Sequence, residues 1–569
     1  HHLGILGDAA GAVITITMPL RPHTRCEAQS GVTPSYPCMA HTRQLQLATG
    51  WYGKIQESNH MLQTNEGAFQ YEHTLDHFVE YFFKAGSVFD SPKRSSFYPG
   101  EESALSLFEK IWIVDKELSF KLLLWLRDCR GGAGNRSAFR SCLKWVASAN
   151  PEWVIANIDS IPEVGRWDDL TVLFGTPVQG VAADLWARAL KNNNVLAAKW
   201  CKRDYVPVRN ALGINKEVEF RKLLSRIRSR HIVETKMSAR TYDQIEYPDV
   251  PSVAMARYTN AFKRHDEARF SAFKKKVETG EVKINADVLF PHDCVRTALN
   301  GDAETADLQF SNLPNYFEGT NEKVIVLCDT SGSMEVRVSG SIQAVHISTG
   351  LALYCSDKIG KQNPFYRKFI GFESESEFKN WEDMTFSQAL HNEAIFDGAI
   401  GATRIDTALN LILETGLFFN LRKDQMPTAL VIVSDMQFSD GVKNASSFER
   451  KIPPKLPKIP IKKSANKWVD EEYDADDDNH IDDAFLPKHS PALADIFKKW
   501  AVSGYDIPKI IYWNTAGYVG APDIADSKNV ALVSGFSPAI LKAIFNGSNF
   551  DPRSILKYSL EKYKVNIST

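Results

Sequence analysis

Lys323-Val324-Ile325-Val326-Leu327-Cys328-Asp329-Thr330-Ser331-Gly332-Ser333-Met334 carries the clearest fold signal in the chain. An unbroken apolar run followed at once by Asp-x-Ser-x-Ser reads as a buried parallel strand ending in an oxygen-rich loop. In open α/β sheets, ligands sit just beyond the carboxyl ends of the strands, where this loop falls. The Asp329 carboxylate and the Ser331 and Ser333 hydroxyls are hard donors of low total charge. That suits Mg²⁺, which keeps several waters and leaves room for a partner's carboxylate or phosphate. Mn²⁺ or Ca²⁺ could take the same oxygens. The alternative is a βα turn whose serines cap the next helix.

Further along, Ala429-Leu430-Val431-Ile432-Val433-Ser434-Asp435-Met436 is a second apolar run closed by an acid. Between the two runs, Ile342 to Tyr354 reads as a helix and Phe369 to Phe372 as a short strand. Thr403 lies in the turn Gly401 to Leu409, ahead of a helix from Asn410 to Thr415. Asp329, Ser331, Ser333, Thr403 and Asp435 are therefore the expected metal-binding residues. After residue 490 the pattern resumes, with a helix from Ala492 to Ser503, strands Lys509 to Asn514 and Val530 to Gly535, and a helix from Pro538 to Phe545. An α/β domain is expected over 321–569, with a mainly parallel sheet.

This domain is interrupted at about 439–490. Prolines at 453, 454, 457 and 460 alternate with lysines, and Asp470 to Asp483 is strongly acidic. Such composition cannot bury a core and predicts an extended or disordered insertion. The acidic run is no EF-hand, because Asn479 and Phe485 stand where the loop glycine and the bidentate glutamate belong.

Residues 65–320 change to helical periodicity. Leu105, Leu107, Phe108, Ile111, Trp112 and Val114 recur at helical spacing, as do Leu118, Phe120, Leu122, Leu123, Trp125 and Leu126. Stacked helical pairs, a HEAT-like all-α repeat region, are expected. Residues 1–64 read as a leader apart from these domains, with Met61 a candidate start.

Charge is uneven along the helical region. Between Lys199 and Lys283, 20 Lys and Arg face 11 Asp and Glu, about +9 in a chain of net charge −2. Arg221, Lys222, Arg226, Arg228 and Arg230 surround the apolar Leu223, Leu224 and Ile227, and Lys274, Lys275 and Lys276 follow on another helix. Arg127, Arg130 and Arg136 flank the turn Gly131-Gly132-Ala133-Gly134, whose freed amides could hold phosphate oxygens. These eleven basic residues are the candidate nucleic-acid-contacting set, the alternative being ordinary solvated helix faces.

The chain has 569 residues, 44% of them apolar and 24% charged, which is ordinary for a globular protein of several domains. No run approaches the ~18 apolar residues of a membrane span. Eight scattered cysteines without a C-x-x-C pair exclude a zinc ribbon and point to reduced thiols, hence a cytoplasmic setting. No histidine is arranged with the loop serines, and no Walker or dinucleotide fingerprint occurs, so an enzyme is not expected. His265 and His292 read as structural or solvated.

Asp329-x-Ser331-x-Ser333, Thr403 and Asp435 resemble the metal-ion-dependent adhesion site of von Willebrand factor type A domains. Ile507 to Asn514 with Val530 to Phe536 resembles the C-terminal strands of the Ro autoantigen, a ring of helical repeats joined to a type A domain. Trp125 to Gly132, Gly165-Arg166-Trp167-Asp168-Asp169-Leu170 and Lys283 to Ala286 resemble the Ro-like proteins of plants, fungi, large DNA viruses and phages. The resemblance implies Mg²⁺ at the five positions and an acidic partner docked on it. It also implies misfolded or small structured RNA on the basic helices, in a host cytoplasm or a virion. The alternative is a metal-dependent scaffold that binds no RNA.

Overall fold

The computed structural model describes residues 61–64, 68–87, 103–228, 232–286, 289–339, 342–372, 376–396, 404–438, 494–517, 520–546 and 549–567. Thr403, Arg230, the leader up to residue 60 and the 439–490 insertion lie outside the described residues.

The chain enters through a hairpin, β1 (Met61–Gln63) and β2 (Phe69–Tyr71), and the helix α1 (His77–Lys84). A helical run follows: α2 (Ala104–Val114), α3 (Lys116–Arg127), α4 (Arg136–Ala149), α5 (Pro151–Ala156), α6 (Ser160–Val164), α7 (Gln179–Lys191), α8 (Val195–Trp200), α9 (Val206–Ala211), α10 (Glu217–Arg228), α11 (Val233–Ser238), α12 (Ser252–His265), α13 (Glu267–Glu278), α14 (Pro291–Leu299) and α15 (Ala303–Ser311). Local chemistry sets many of the breaks. Asp115 ends α2 and begins α3, its carboxylate accepting the Leu118 N–H at 2.9 Å. Asn135 caps α4 in the same way.

From residue 324 the pattern is α/β. The strand β3 (Val324–Asp329), the small hairpin β4 (Arg337–Ser339) and β5 (Ile342–Gln343), α16 (Ala344–Lys358), β6 (Lys368–Phe372) and β7 (Ser376–Asn380) come first. Then come α17 (Phe386–Leu390), α18 (Ile405–Phe418), β8 (Ala429–Ser434), α19 (Ala494–Ser503), β9 (Lys509–Asn514), β10 (Val530–Ser534), α20 (Ile540–Asn546) and α21 (Pro552–Leu560).

The main sheet runs β10-β9-β8-β3-β6-β7, parallel except for the antiparallel edge strand β7. Every residue of β3, β8 and β10 is buried, as uninterrupted apolar runs require when both faces are covered. After β3 the chain first crosses to β6, then returns to the other side of β3 to lay down β8. The carboxyl ends of β3 and β8 are therefore the switch point of the sheet.

The entering segment belongs to this sheet's surroundings. Tyr71 bridges Ala521, and Ser534 at the end of β10 donates to the Phe82 carbonyl at 2.7 Å. Phe78, Val79, Tyr81, Phe82 and Phe83 of α1 are fully buried. One hydrophobic core runs from α1 through the helices to α21. A second, satellite core gathers Val233, Tyr247, Met255, Phe262, Phe270 and Ile284 around α11 to α13.

Candidate functional site: oxygen donors at the strand ends

Asp329 closes β3 and is fully buried. Its Oδ1 accepts the Ser331 N–H at 3.0 Å, and its Oδ2 accepts the Ser434 hydroxyl at 2.6 Å. The Ser331 and Ser333 hydroxyl oxygens stand 3.0 Å apart. Asp435, also fully buried, follows the end of β8, and its Oδ1 accepts the Gln437 N–H at 3.0 Å. The two strands pair in parallel, Cys328 opposite Val433, so their terminal carboxylates are brought to one edge. Thr403, the fifth expected donor, lies outside the described residues.

The serines do not cap the following helix. Ser331 precedes a 3-10 turn and makes no side-chain capping bond, while α16 begins only at Ala344, beyond the β4–β5 hairpin. The hydroxyls are thus left to face one another at the strand edge.

Two strand-end residues beyond the five expected donors complete the arrangement. Ser434 links Asp329 to the turn after β8. Asn514, the buried end of β9, accepts the Ala516 and Gly517 N–H groups and shapes the adjoining loop, whose Thr515 N–H reaches the Ser434 carbonyl at 3.0 Å. Both carry the signal that marked Asp329, a polar residue closing an apolar run.

The donor set fits a hard cation. Every group is oxygen, and neighbouring ligands of an octahedral ion with metal–oxygen distances of about 2.1 Å are about 3.0 Å apart, the spacing of the two serine oxygens. Among the described residues no group of three or more His, Cys, Asp or Glu has a metal-holding arrangement, so a site here rests on two carboxylates supplemented by hydroxyls.

The basic residues divide sharply. Arg130, Arg136, Arg221, Lys222, Arg226, Lys275 and Lys276 are exposed. Arg127, Arg228 and Lys274 are corrections to the expected RNA set. Arg127 is buried with its Nε 2.7 Å from Asp169. Arg228 donates from Nε to the Ala198 carbonyl at 2.7 Å and from Nη2 to that of Cys201, closing the end of α8; burial lowers its pKa. Lys274 is buried against Glu304 and the Phe270 ring.

The glycine turn is also corrected, because the amides of Gly131, Gly132 and Ala133 are already used. Arg130 and Gly131 donate to the Asp128 carboxylate, Gly132 to the Asp128 carbonyl, Ala133 to Trp125 and Asn135 to Leu126. Asp128 further takes the Lys562 ammonium at 2.6 Å and the Tyr563 hydroxyl at 2.8 Å. The Ala133 carbonyl accepts the Phe536 N–H at 3.0 Å. The turn is a joint between α3, β10 and the C-terminal segment, not a phosphate cradle.

Neither histidine noted above belongs to the strand-end cluster. His265 stacks on Tyr242 at 4.9 Å, and His292 is buried between Phe290 and Phe536, where burial lowers its pKa.

Fold and site together define a helical arm continuous with an α/β domain that gathers acidic and hydroxyl oxygens at its switch point. Residues 323–566 match the model of a domain of unknown function (DUF7788), and residues 217–325 that of another domain of unknown function (DUF2828). The uncharacterized protein L728 of Acanthamoeba polyphaga mimivirus is 25% identical over 527 residues, 81% of this chain and 82% of that protein. The crystal structure of the Deinococcus radiodurans Ro protein aligns with 86% of this chain and 99% of its own at 11% identity and a TM-score of 0.39, a loose superposition. No helix among the described residues is long and apolar enough to cross a membrane.

Proposed function

We infer that this chain is a binding protein with two sites, not an enzyme. At the switch point of the sheet a divalent cation, Mg²⁺ or a similar ion, is held by Asp329, Ser331, Ser333 and Asp435, with Thr403 as the further donor that the type A resemblance supplies. When bound, the cation offers an open position to a carboxylate or phosphate of a partner. Asp329 and Asp435 together offset the two positive charges of the ion, and the hydroxyls are neutral donors, so the filled site carries no net negative charge to repel that ligand. The observation that carries this reading is the convergence of two buried carboxylates and a hydroxyl pair on one strand edge.

RNA is the ligand of the second site. The support is α10, where Arg221, Lys222 and Arg226 are exposed while Phe220, Leu224 and Ile227 are buried. Such a face makes phosphate contacts whose affinity falls steeply with salt.

Titration of the purified chain with Mn²⁺ tests the first site. Saturable binding abolished by Asp435→Ala supports it, and no binding by the wild-type chain rejects it. A labelled hairpin RNA tests the second. Changing Arg221, Lys222 and Arg226 to Glu should weaken binding and lower the salt slope by about one for each phosphate no longer neutralised. Asp329→Ala should leave RNA affinity intact, and unchanged affinity in the triple variant removes α10 from the RNA surface.

A further inference from the structure

Ser434 closes β8 one residue before Asp435 and is fully buried. Its hydroxyl makes two hydrogen bonds. It donates to Asp329 Oδ2 at 2.6 Å and accepts the Met436 N–H at 3.0 Å. Met436 has φ +66°, a left-handed conformation that a side chain of its size rarely adopts unless the surroundings hold it there. One hydroxyl therefore ties the carboxylate at the end of β3 to the turn that carries the carboxylate at the end of β8. Asp329 is fixed at both oxygens, by Ser331 N–H on one and by Ser434 on the other.

We propose that Ser434 is the positioning residue of this site, setting the rotamer of Asp329 and its spacing from Asp435 so that a divalent cation meets a preformed pair of carboxylates. The proposal rests on the cation reading given above. Two carboxylates gathered in a buried place repel each other, and without a fixed hydrogen bond each would turn away from the other. The Ser434 proton is committed to Asp329, so Ser434 orients a ligand rather than serving as one. Groups that orient ligands in this way govern affinity nearly as strongly as the ligands themselves.

The test uses the full chain and Mn²⁺ alone, with free Mn²⁺ followed by its paramagnetic resonance signal and the metal-induced rise in thermal midpoint measured alongside. Ser434→Ala removes both hydrogen bonds and should raise the Mn²⁺ dissociation constant about 10–100-fold, while Ser434→Thr, which keeps the hydroxyl, should stay within about threefold of wild type. The metal-induced rise in midpoint should shrink in Ser434→Ala and persist in Ser434→Thr, because binding to the native state sets that rise. Should the alanine variant fail to fold, Ser434→Cys replaces it; its thiol keeps the shape, donates weakly and should bind Mn²⁺ less tightly. Wild-type affinity in Ser434→Ala or Ser434→Cys overturns the proposal, even if the metal-free midpoint falls. A wild-type chain that binds no Mn²⁺ overturns the cation reading itself, a result separate from any difference between variants.

Discussion

Asp169 sits fully buried with a guanidinium on each of its oxygens: Arg127 Nε at 2.7 Å on Oδ2 and Arg140 Nε at 2.6 Å on Oδ1. The Arg166 N–H adds a third bond at 2.9 Å, and Asp168 takes the other arm of Arg140 at 2.8 Å. Removing one partner of such a cluster leaves a buried charge uncompensated, so Asp169→Ala should cost about 3–5 kcal/mol. The exposed Arg130→Ala should stay within about 0.5 kcal/mol of wild type. Thermal melts of the two variants check both numbers. A second cluster gives the entering segment a pH dependence. Burial works to raise the pKa of Glu80, but Lys84, His73 and the Thr74 N–H, 2.8 Å away, outweigh it and hold the carboxyl well below its usual range. A carboxylate lowered on folding contributes stability above its unfolded value of about 4.3 and loses it as pH falls toward the folded value. His73 behaves oppositely. Its hydrogen bond to Glu80 outweighs desolvation and raises its pKa, so its contribution is complete below about pH 6.5 and fades as pH climbs through the raised value. The thermal midpoint should therefore drop on acidification below about pH 4.3, less steeply in Glu80→Gln. His73→Gln should lose the decline that wild type shows above about pH 6.5.

At the level of elements, the glycine turn between α3 and α4 shows how a local motif is overruled by its tertiary partners. A Cβ on Gly132 would lie 2.0 Å from the Trp125 carbonyl oxygen, and one on Gly535, at φ +110°, would lie 2.7 Å from Ala133 Cα. Gly132 thus lets the turn fold back onto the last turn of α3, and Gly535 lets the end of β10 approach the turn at Ala133. Gly132→Ala should lower the thermal midpoint markedly while the folded protein keeps its RNA affinity; loss of RNA binding with an unchanged midpoint would return the turn to phosphate recognition. The same contrast explains what could be read from the chain. The strands β3, β8, β9 and β10 were legible because burial on both faces leaves an uninterrupted apolar run, and a polar residue closing such a run marks a strand end. The edge strand β7 was not, since Ser376-Glu377-Phe378-Lys379-Asn380 is half solvated and has no such run. Arg127 and Lys274 looked like surface cations because Asp169 and Glu304, their partners, lie 42 and 30 residues away. The strand-end donors were legible as types in a pattern, whereas the Ser434 bridge depends on β3 pairing with β8, which no local spacing shows.

Over the whole molecule, the helical arm and the sheet share one core, and the two ends of the described chain close it together. Asp76, the buried cap of α1, takes Arg553 of α21 at 2.8 Å, while Asn157 of the arm exchanges hydrogen bonds with Asn566. The entering segment is thus a structural part of the α/β half although the whole helical arm separates them in sequence. Its weight follows from the burial of Phe78, Val79, Tyr81, Phe82 and Phe83, all fully enclosed. At about 1.5–3 kcal/mol for each large apolar side chain buried, these five contribute about 10 kcal/mol. That is comparable to the whole stability of a typical folded protein, about 5–15 kcal/mol. A chain starting at residue 103 should therefore lose the cover over β9 and β10, bind a hydrophobic dye and lose its near-ultraviolet circular dichroism while keeping helical signal. Its Mn²⁺ site should weaken as well, because Ser87 and Ser534, which join α1 to the sheet, bond at the same strand edge through the Asn514 carbonyl and the Gly86 N–H. A shortened chain with the wild-type midpoint and wild-type Mn²⁺ affinity would instead mean that the sheet and its switch point stand without the segment that enters the fold first.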